Sequence, residues 1–479
     1  MTKVKKLALS GIIWNIIQLV VNQGSSFIVK LVLARVLFPD QFGLVGMAVV
    51  FIGFVQVFND LGIGAALIQR KEADLREAHF HTAFWTGVVW SVLMYLIICF
   101  VVAPFAARFY NEPLLKDLIP VLGLGILANP LNMIHKAQLT KQMNFKRMAL
   151  INNTSNISAG VLSIVLALSG AGVWSLAFNS VATFVIAIPL YFNATKWFPK
   201  FVFEEQAFKD VFGFGIYTTG TSITNYLISN VDYLLIGKLV TAQALGAYTL
   251  AFILTDIFRS RLMSVMNTVF YPLYSKMQDN PASLKKYYLK VVEYNSVAIF
   301  PIMTFFILMA DPVILIVFGD KWQDSLDPLK ILSLAVMVHM VVNSNTALIR
   351  GLGRPDLEMK LQIFKAVLYL PIVYFAIVNY GIIGAATAVL VNKIIAVIIA
   401  QFTFNKFLSV KISTMDFFRA IRVPLLATVF TAFVIVFCNK VLHFHYIISS
   451  VLLFGIYGTI IWLVMGKEAL AEFKEIKSM

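Results

Sequence analysis

Leu33-Ala34-Arg35-Val36-Leu37-Phe38-Pro39-Asp40-Gln41-Phe42-Gly43 lines up, 203 residues further on, with Ile236-Gly237-Lys238-Leu239-Val240-Thr241-Ala242-Gln243-Ala244-Leu245-Gly246. Each copy carries a basic residue, a tight turn and a glycine in register, and each joins two long apolar runs. Six apolar runs separate the copies. That even number gives both the same orientation across a bilayer, so the repeat is parallel, about an axis along the membrane normal. Two six-helix lobes related in this way suit a transporter with a central cavity.

The rest of the chain reads the same way. Its 479 residues are 59% hydrophobic and only 13% charged, with a mean hydropathy of +0.83. Soluble domains carry roughly 25% charged residues, so lipid must cover much of this surface. A net charge of +15 would suggest nucleic acid in a soluble protein. Here it reads as membrane topology plus cations inside the bundle, with no nucleic-acid partner. Cys99 and Cys438 both lie in apolar runs and suggest neither a disulfide framework nor a metal site. Lys3, Lys5 and Lys6 precede an apolar run from Leu9 to Phe38 that is too long for a signal-peptide core and lacks a small-residue cleavage site, so it reads as the first membrane helix. Gly237-Lys238 and Gly466-Lys467 lack the rest of a phosphate-binding loop.

A bilayer needs roughly 20 apolar residues per crossing helix. The expected class is an all-α polytopic membrane protein of about fourteen such helices. Among the expected spans are 42–68, 211–239, 244–271, 328–349, 357–378 and 382–404. The expected organisation is an N-terminal lobe over 1–195, a C-terminal lobe over 196–405, and two further helices with a tail over 406–479. With the N-terminus inside, the inner segments hold 27 of the 39 basic residues, the outer loops 5 and the spans 7. That asymmetry predicts that both termini are cytoplasmic.

The first helix of each lobe carries a polar stripe: Asn15, Gln18, Asn22, Ser26 and Lys30 in one, Thr218, Ser222, Asn225, Ser229 and Asp232 in the other. Asn22 pairs with Asn225 at the repeat offset. Such stripes would be costly against lipid, so they face either a partner helix or a cavity. Lys30 lies about 13 Å below the outer turn and Asp232 about 15 Å, near the midplane of a core about 30 Å thick. Lys393 and His339 fall at similar depths in their spans, with Lys365 two turns into its own. Arg259 and Arg261 lie deeper, with Asp256 one turn before Arg259. Intramembrane charge usually marks a pathway. The bland alternatives are that Asp256 and Arg259 pair as i,i+3 neighbours and that His339 makes a structural hydrogen bond beside Asn343 and Asn345. Arg35 and Lys238 can snorkel outward, and Asp60 either caps or bends its helix.

Cations outnumber anions in this interior, which predicts an anionic substrate such as a pyrophosphate or acidic sugar. Lys30, Arg259, Arg261, Lys365, Lys393, Asn22 and Asn225 are the candidate substrate contacts. Asp232, Asp60, Asp256 and His339 are the candidates for binding or relaying a proton or sodium ion. No cofactor is expected.

The Leu33–Gly43 run, followed by Phe58-Asn59-Asp60-Leu61-Gly62 and Gln69-Arg70, resembles polysaccharide flippases of the Wzx type, in the branch that handles colanic and teichuronic acids. These belong to the multidrug/oligosaccharidyl-lipid/polysaccharide exporter superfamily. The resemblance covers essentially the whole chain. It implies flipping of undecaprenyl-pyrophosphate-linked oligosaccharide across the bacterial inner membrane by alternating access, without enzymatic catalysis, driven by an ion gradient. Its partners would be membrane lipid and polysaccharide polymerase and export machinery. The alternatives are a peptidoglycan lipid flippase, a multidrug antiporter of the same fold, which would need an acidic cavity, and a membrane polymerase or ligase, which would need a large outer loop.

Overall fold

The computed structural model describes residues 3–59, 63–70, 74–212, 216–265 and 270–478. The described chain is helical, and eleven of its helical segments are long and apolar enough to cross a membrane. The protein is therefore a multi-pass membrane protein. It forms two compact units, Met1–Gly246 and Ala247–Met479.

The first unit runs α1 (Lys3–Val36), α2 (Pro39–Asn59), α3 (Ile63–Gln69), α4 (Glu77–Ile97), α5 (Ala103–Tyr110), α6 (Leu115–Lys141), α7 (Phe145–Leu168), α8 (Val173–Thr195), α9 (Glu205–Phe212) and α10 (Ile216–Leu239). α4 continues into α5 through a π-helical stretch, Ile98–Val102, so one span runs Glu77–Tyr110. α7 packs between α1 and α8, α6 packs against α4 and α8, and α10 packs against α2. The Tyr226 hydroxyl of α10 donates to the Val50 carbonyl of α2 at 2.9 Å. Without a hydrophobic drive in lipid, close packing and such bonds hold helices together.

The repeat is visible at the level of single residues. α1 ends at Val36 and α2 begins at Pro39; α10 ends at Leu239 and the next helix, α11 (Ala242–Val265), begins at Ala242. Both helix ends keep the 203-residue offset. The two turns also meet reciprocally. A Cβ on Gly43 would lie 1.7 Å from the Ala242 carbonyl oxygen, and one on Gly246 would lie 1.7 Å from the Pro39 carbonyl oxygen. Only glycine permits that approach at both positions.

The second unit continues from α11 with α12 (Tyr271–Lys276), α13 (Pro281–Leu308), α14 (Leu326–Met340), α15 (Asn345–Gly351), α16 (Pro355–Lys406), α17 (Thr414–Val441) and α18 (Tyr446–Ser478). α13 packs against α14 and α17, and α14 against α16. The core at one end of this unit gathers Tyr274, Tyr288, Leu348, Phe404 and Phe417.

Two boundaries refine the expected spans. α16 is two helices that meet at Gly381, whose φ of 56° and ψ of −136° are not helical. It bends there, between the expected spans 357–378 and 382–404. The expected span 328–349 is not one helix. It breaks at Val341–Ser344, between α14 and α15. There the amides of Val341 and Val342 bond three residues back, to Val338 and His339, and Asn345 bonds to Val342. Asn343, Ser344 and Asn345 supply side chains that compete with the helical ladder.

Candidate functional site

The broken helix is where the second unit gathers its intramembrane charge. His339 is the penultimate residue of α14 and lies within electrostatic reach of Lys393, Arg259 and Lys365. Arg259 comes from α11, and the two lysines come from the two arms of α16, on either side of the Gly381 bend. Three of the sequence-derived substrate cations therefore lie within electrostatic reach of one histidine. Arg259 is not alone there. Its Nε donates to Asp256 Oδ1 at 2.7 Å, so the i,i+3 pairing holds and Asp256 is committed to it. Lys365 also lies within reach of Glu358, which itself pairs with Arg350.

The expectation that His339 bonds to its asparagine neighbours is not met. Among the described residues, neither ring nitrogen has a hydrogen-bond partner, and neither does the nitrogen or oxygen of the Asn343 side chain. Asn345 is taken elsewhere: the Tyr288 hydroxyl of α13 donates to its side-chain oxygen and lies 3.4 Å from the Val341 carbonyl. Ser344 pairs with the Tyr274 hydroxyl at 2.9 Å. Both tyrosines are fully buried. They brace the break and leave His339 and Asn343 without a bond to either hydroxyl.

Asn343 is a functional candidate that the sequence reading placed only as a neighbour. The signal was there: three consecutive polar residues, Asn343 to Asn345, inside an apolar span. A second omission is in the first unit. A cavity of about 20 Å³, room for one water, is lined by Asn59, Gly87, Trp90, Asn129, Pro130 and Met133, and the Asn59 side-chain oxygen has no partner among the described residues.

The other candidates fall as follows. Asp232 on α10 is buried, and its carboxylate accepts the Tyr233 backbone N–H at 3.0 Å. Asn22 on α1 is half-buried, with its side-chain oxygen unpartnered. Lys30 is an exposed residue of α1, in the first unit. Asp60 and the side chains of Asn225 and Arg261 lie outside the described residues.

A second polar cluster, in the first unit, is paired throughout. The segment joining α8 to α10 is clasped to the start of α4. Arg70 Nη2 lies 2.7 Å from Asp210 Oδ2, and Arg76 Nη2 lies 2.5 Å from Glu204 Oε1. His79 Nδ1 accepts the Arg76 N–H at 3.0 Å, which leaves Nε2 as the donor facing Asp210 at 3.4 Å. Lys200 N–H bonds to His81 Nδ1, and Trp197 stacks on the His81 ring at 5.1 Å. Partial burial pushes the Asp210 carboxyl up, but hydrogen bonds from His79, Gln206 and Arg70, with the Arg70 charge, outweigh it and hold it below the usual carboxylate range.

A family model described as "Polysaccharide biosynthesis protein" matches residues 32–327. The teichuronic acid biosynthesis protein TuaB of Bacillus subtilis (strain 168) is 28% identical over 381 residues, 78% of this chain and 77% of its own length. The lipopolysaccharide biosynthesis protein WzxC of Escherichia coli (strain K12) is 26% identical over 408 residues, 84% of this chain and 82% of its own. Among solved structures, the lipid II flippase MurJ in an inward closed conformation superposes with a TM-score of 0.72 over 96% of this chain and all of its own, at 13% identity. At that identity the likeness speaks for the fold.

Proposed function

The chain belongs to the polysaccharide biosynthesis protein family, and on that premise we propose that it flips undecaprenyl-pyrophosphate-linked oligosaccharide across the bacterial inner membrane by alternating access. The observation that carries this reading is that Arg259, Lys365 and Lys393 lie within electrostatic reach of His339 inside the membrane-embedded part of the second unit. Charged side chains inside a bilayer are costly and usually mark a substrate or ion pathway. A pyrophosphate supplies several anionic oxygens, and charge-assisted hydrogen bonds to them are strong. A multidrug antiporter for cations would need the opposite sign.

In this reading the lobes over 1–195 and 196–405 move against each other, the reciprocal glycine turns are hinges or gates of that motion, and both termini face the cytoplasm. Asp232, buried and near the expected midplane, is the first choice for coupling to a proton or sodium ion, ahead of Asp60 and of Asp256, which is paired. Lys30, Arg261, Asn22 and Asn225 complete the substrate path.

The test is polymer export per molecule of inserted protein. Lys365→Ala and Lys393→Ala should each reduce it by roughly tenfold or more, the worth of one charge-assisted bond, with normal amounts of protein in the membrane. Unchanged export per molecule in both variants would overturn the anionic-substrate reading.

A further inference from the structure

The break in α14 leaves a specific set of unmet hydrogen-bonding needs. Four polar side chains cluster within Asn343–Asn345 and His339. Two of them, Ser344 and Asn345, are answered by Tyr274 and Tyr288. The other two have every polar side-chain atom buried and, among the described residues, unanswered: Nδ1 and Nε2 of His339, Nδ2 and Oδ1 of Asn343. Asn343 is only 2% exposed. Native proteins rarely leave such groups unpaired, and an orphaned amide in a membrane interior is expensive. Interrupted membrane helices also mark binding sites in transporters, because they bring polar groups to midmembrane.

The chemistry of the missing partner follows from the inventory of those four atoms. The Asn343 amide offers two N–H donors and one acceptor. A neutral imidazole offers one donor and one acceptor. A pyrophosphate, which only accepts, would answer the donors and leave Asn343 Oδ1 and one imidazole nitrogen empty. A metal cation or organic cation would meet Lys365, Lys393 and Arg259, all within electrostatic reach of His339. A sugar both donates and accepts through each hydroxyl, so vicinal hydroxyls match the whole set. The cations beside them suit the pyrophosphate to which that sugar is joined.

We propose that His339 and Asn343, at the break between α14 and α15, form a sugar-recognition subsite that reads the hydroxyls of the first sugar next to the pyrophosphate. This rests on the anionic lipid-linked cargo proposed above. The tyrosine pair holds the break open, the cations hold the diphosphate, and the His339–Asn343 pair distinguishes a glycosylated carrier from the bare one. A flippase with such a subsite avoids carrying the spent prenyl pyrophosphate.

The experiment compares two probes on the purified full chain in lipid nanodiscs: undecaprenyl pyrophosphate, and the same lipid carrying one glucose. The wild type should bind the glucosylated lipid roughly tenfold tighter or more, the scale on which a site built to bond hydroxyls rejects a ligand lacking them. Asn343→Leu and His339→Leu should each bring that ratio to about one. Asn343→Leu should also raise the melting temperature without ligand, because it removes orphaned polar atoms. Wild type that binds both lipids equally, or an Asn343→Leu variant that keeps the preference, overturns the subsite and leaves the cargo reading standing; a site filled only by ordered water would give that result. A fall in melting temperature in Asn343→Leu also overturns it, because it assigns the amide a structural role. Wild type that binds neither lipid overturns the cargo reading itself.

Discussion

The clasp around Asp210 and the break around Asn343 are built from the same kinds of groups and treat them in opposite ways. In the clasp, Arg70, Arg76, His79, Glu204 and Asp210 each have a named partner across 2.5–3.4 Å. In the break, two tyrosines satisfy Ser344 and Asn345, while the His339 and Asn343 side chains have no hydrogen-bond partner among the described residues, although three cations lie within electrostatic reach of His339. Polar groups that fix a structure are satisfied within it. Groups left open at a cost are the ones a ligand can answer.

That contrast orders the expected effects of substitution. The largest should come from the brace. Tyr288→Phe leaves the Asn345 oxygen without its donor, at a cost of about 1–3 kcal/mol for a buried group. Thermal melting in detergent should show a clear loss of stability, and an unchanged melting temperature would mean that the break stands without Tyr288. Asn343→Leu should move stability the other way by up to a similar amount, since it abolishes two orphaned atoms. The pair of measurements separates brace from site by sign alone.

Smaller effects belong to the clasp. Arg70→Ala should loosen the connector over 196–212, seen as faster limited proteolysis there, while the cargo preference persists. A connector cut no faster than in the wild type would show that the Arg70–Asp210 pair adds nothing. The smallest effect is on pH. Asp210 titrates lower in the folded chain than in the unfolded one. Its contribution is therefore present above about pH 4, the unfolded carboxylate value, and is lost as pH falls through the lower folded value. Proteolysis of the connector should rise in that acid window in the wild type and should not rise further in Asp210→Asn. A midpoint near neutrality would rule out Asp210 as its source.

Much of this architecture is legible in sequence because it depends on local pattern. The turn before Pro39 and the turn before Ala242 follow from a basic residue, a helix stop and a glycine repeated at one offset, and the helix ends match that offset to the residue. The Asp256–Arg259 pair follows from i,i+3 spacing. The break in α14 is signalled in its own span only by the polar run Asn343-Ser344-Asn345. It depends on Tyr274 and Tyr288, 70 residues before Ser344 and 57 before Asn345, whose hydroxyls bond to the side chains of Ser344 and Asn345. For the same reason the expected bond between His339 and its neighbours could not be judged locally: Asn345 already has a distant partner. Depth along a span placed Lys365 and Lys393 in the membrane, but only the folded bundle brings them and Arg259 to the same histidine.

The central claim, that the basic interior serves a lipid-linked anionic sugar, is tested most directly by reconstitution. Purified protein in liposomes would be given an undecaprenyl-pyrophosphate-linked oligosaccharide on one face, and its arrival on the other would be read by an added, membrane-impermeant lectin. The account predicts protein-dependent flipping that Lys365→Ala and Lys393→Ala each reduce by roughly tenfold or more at equal protein incorporation. Flipping at the wild-type rate in both variants, or none at all by the wild type, would contradict it.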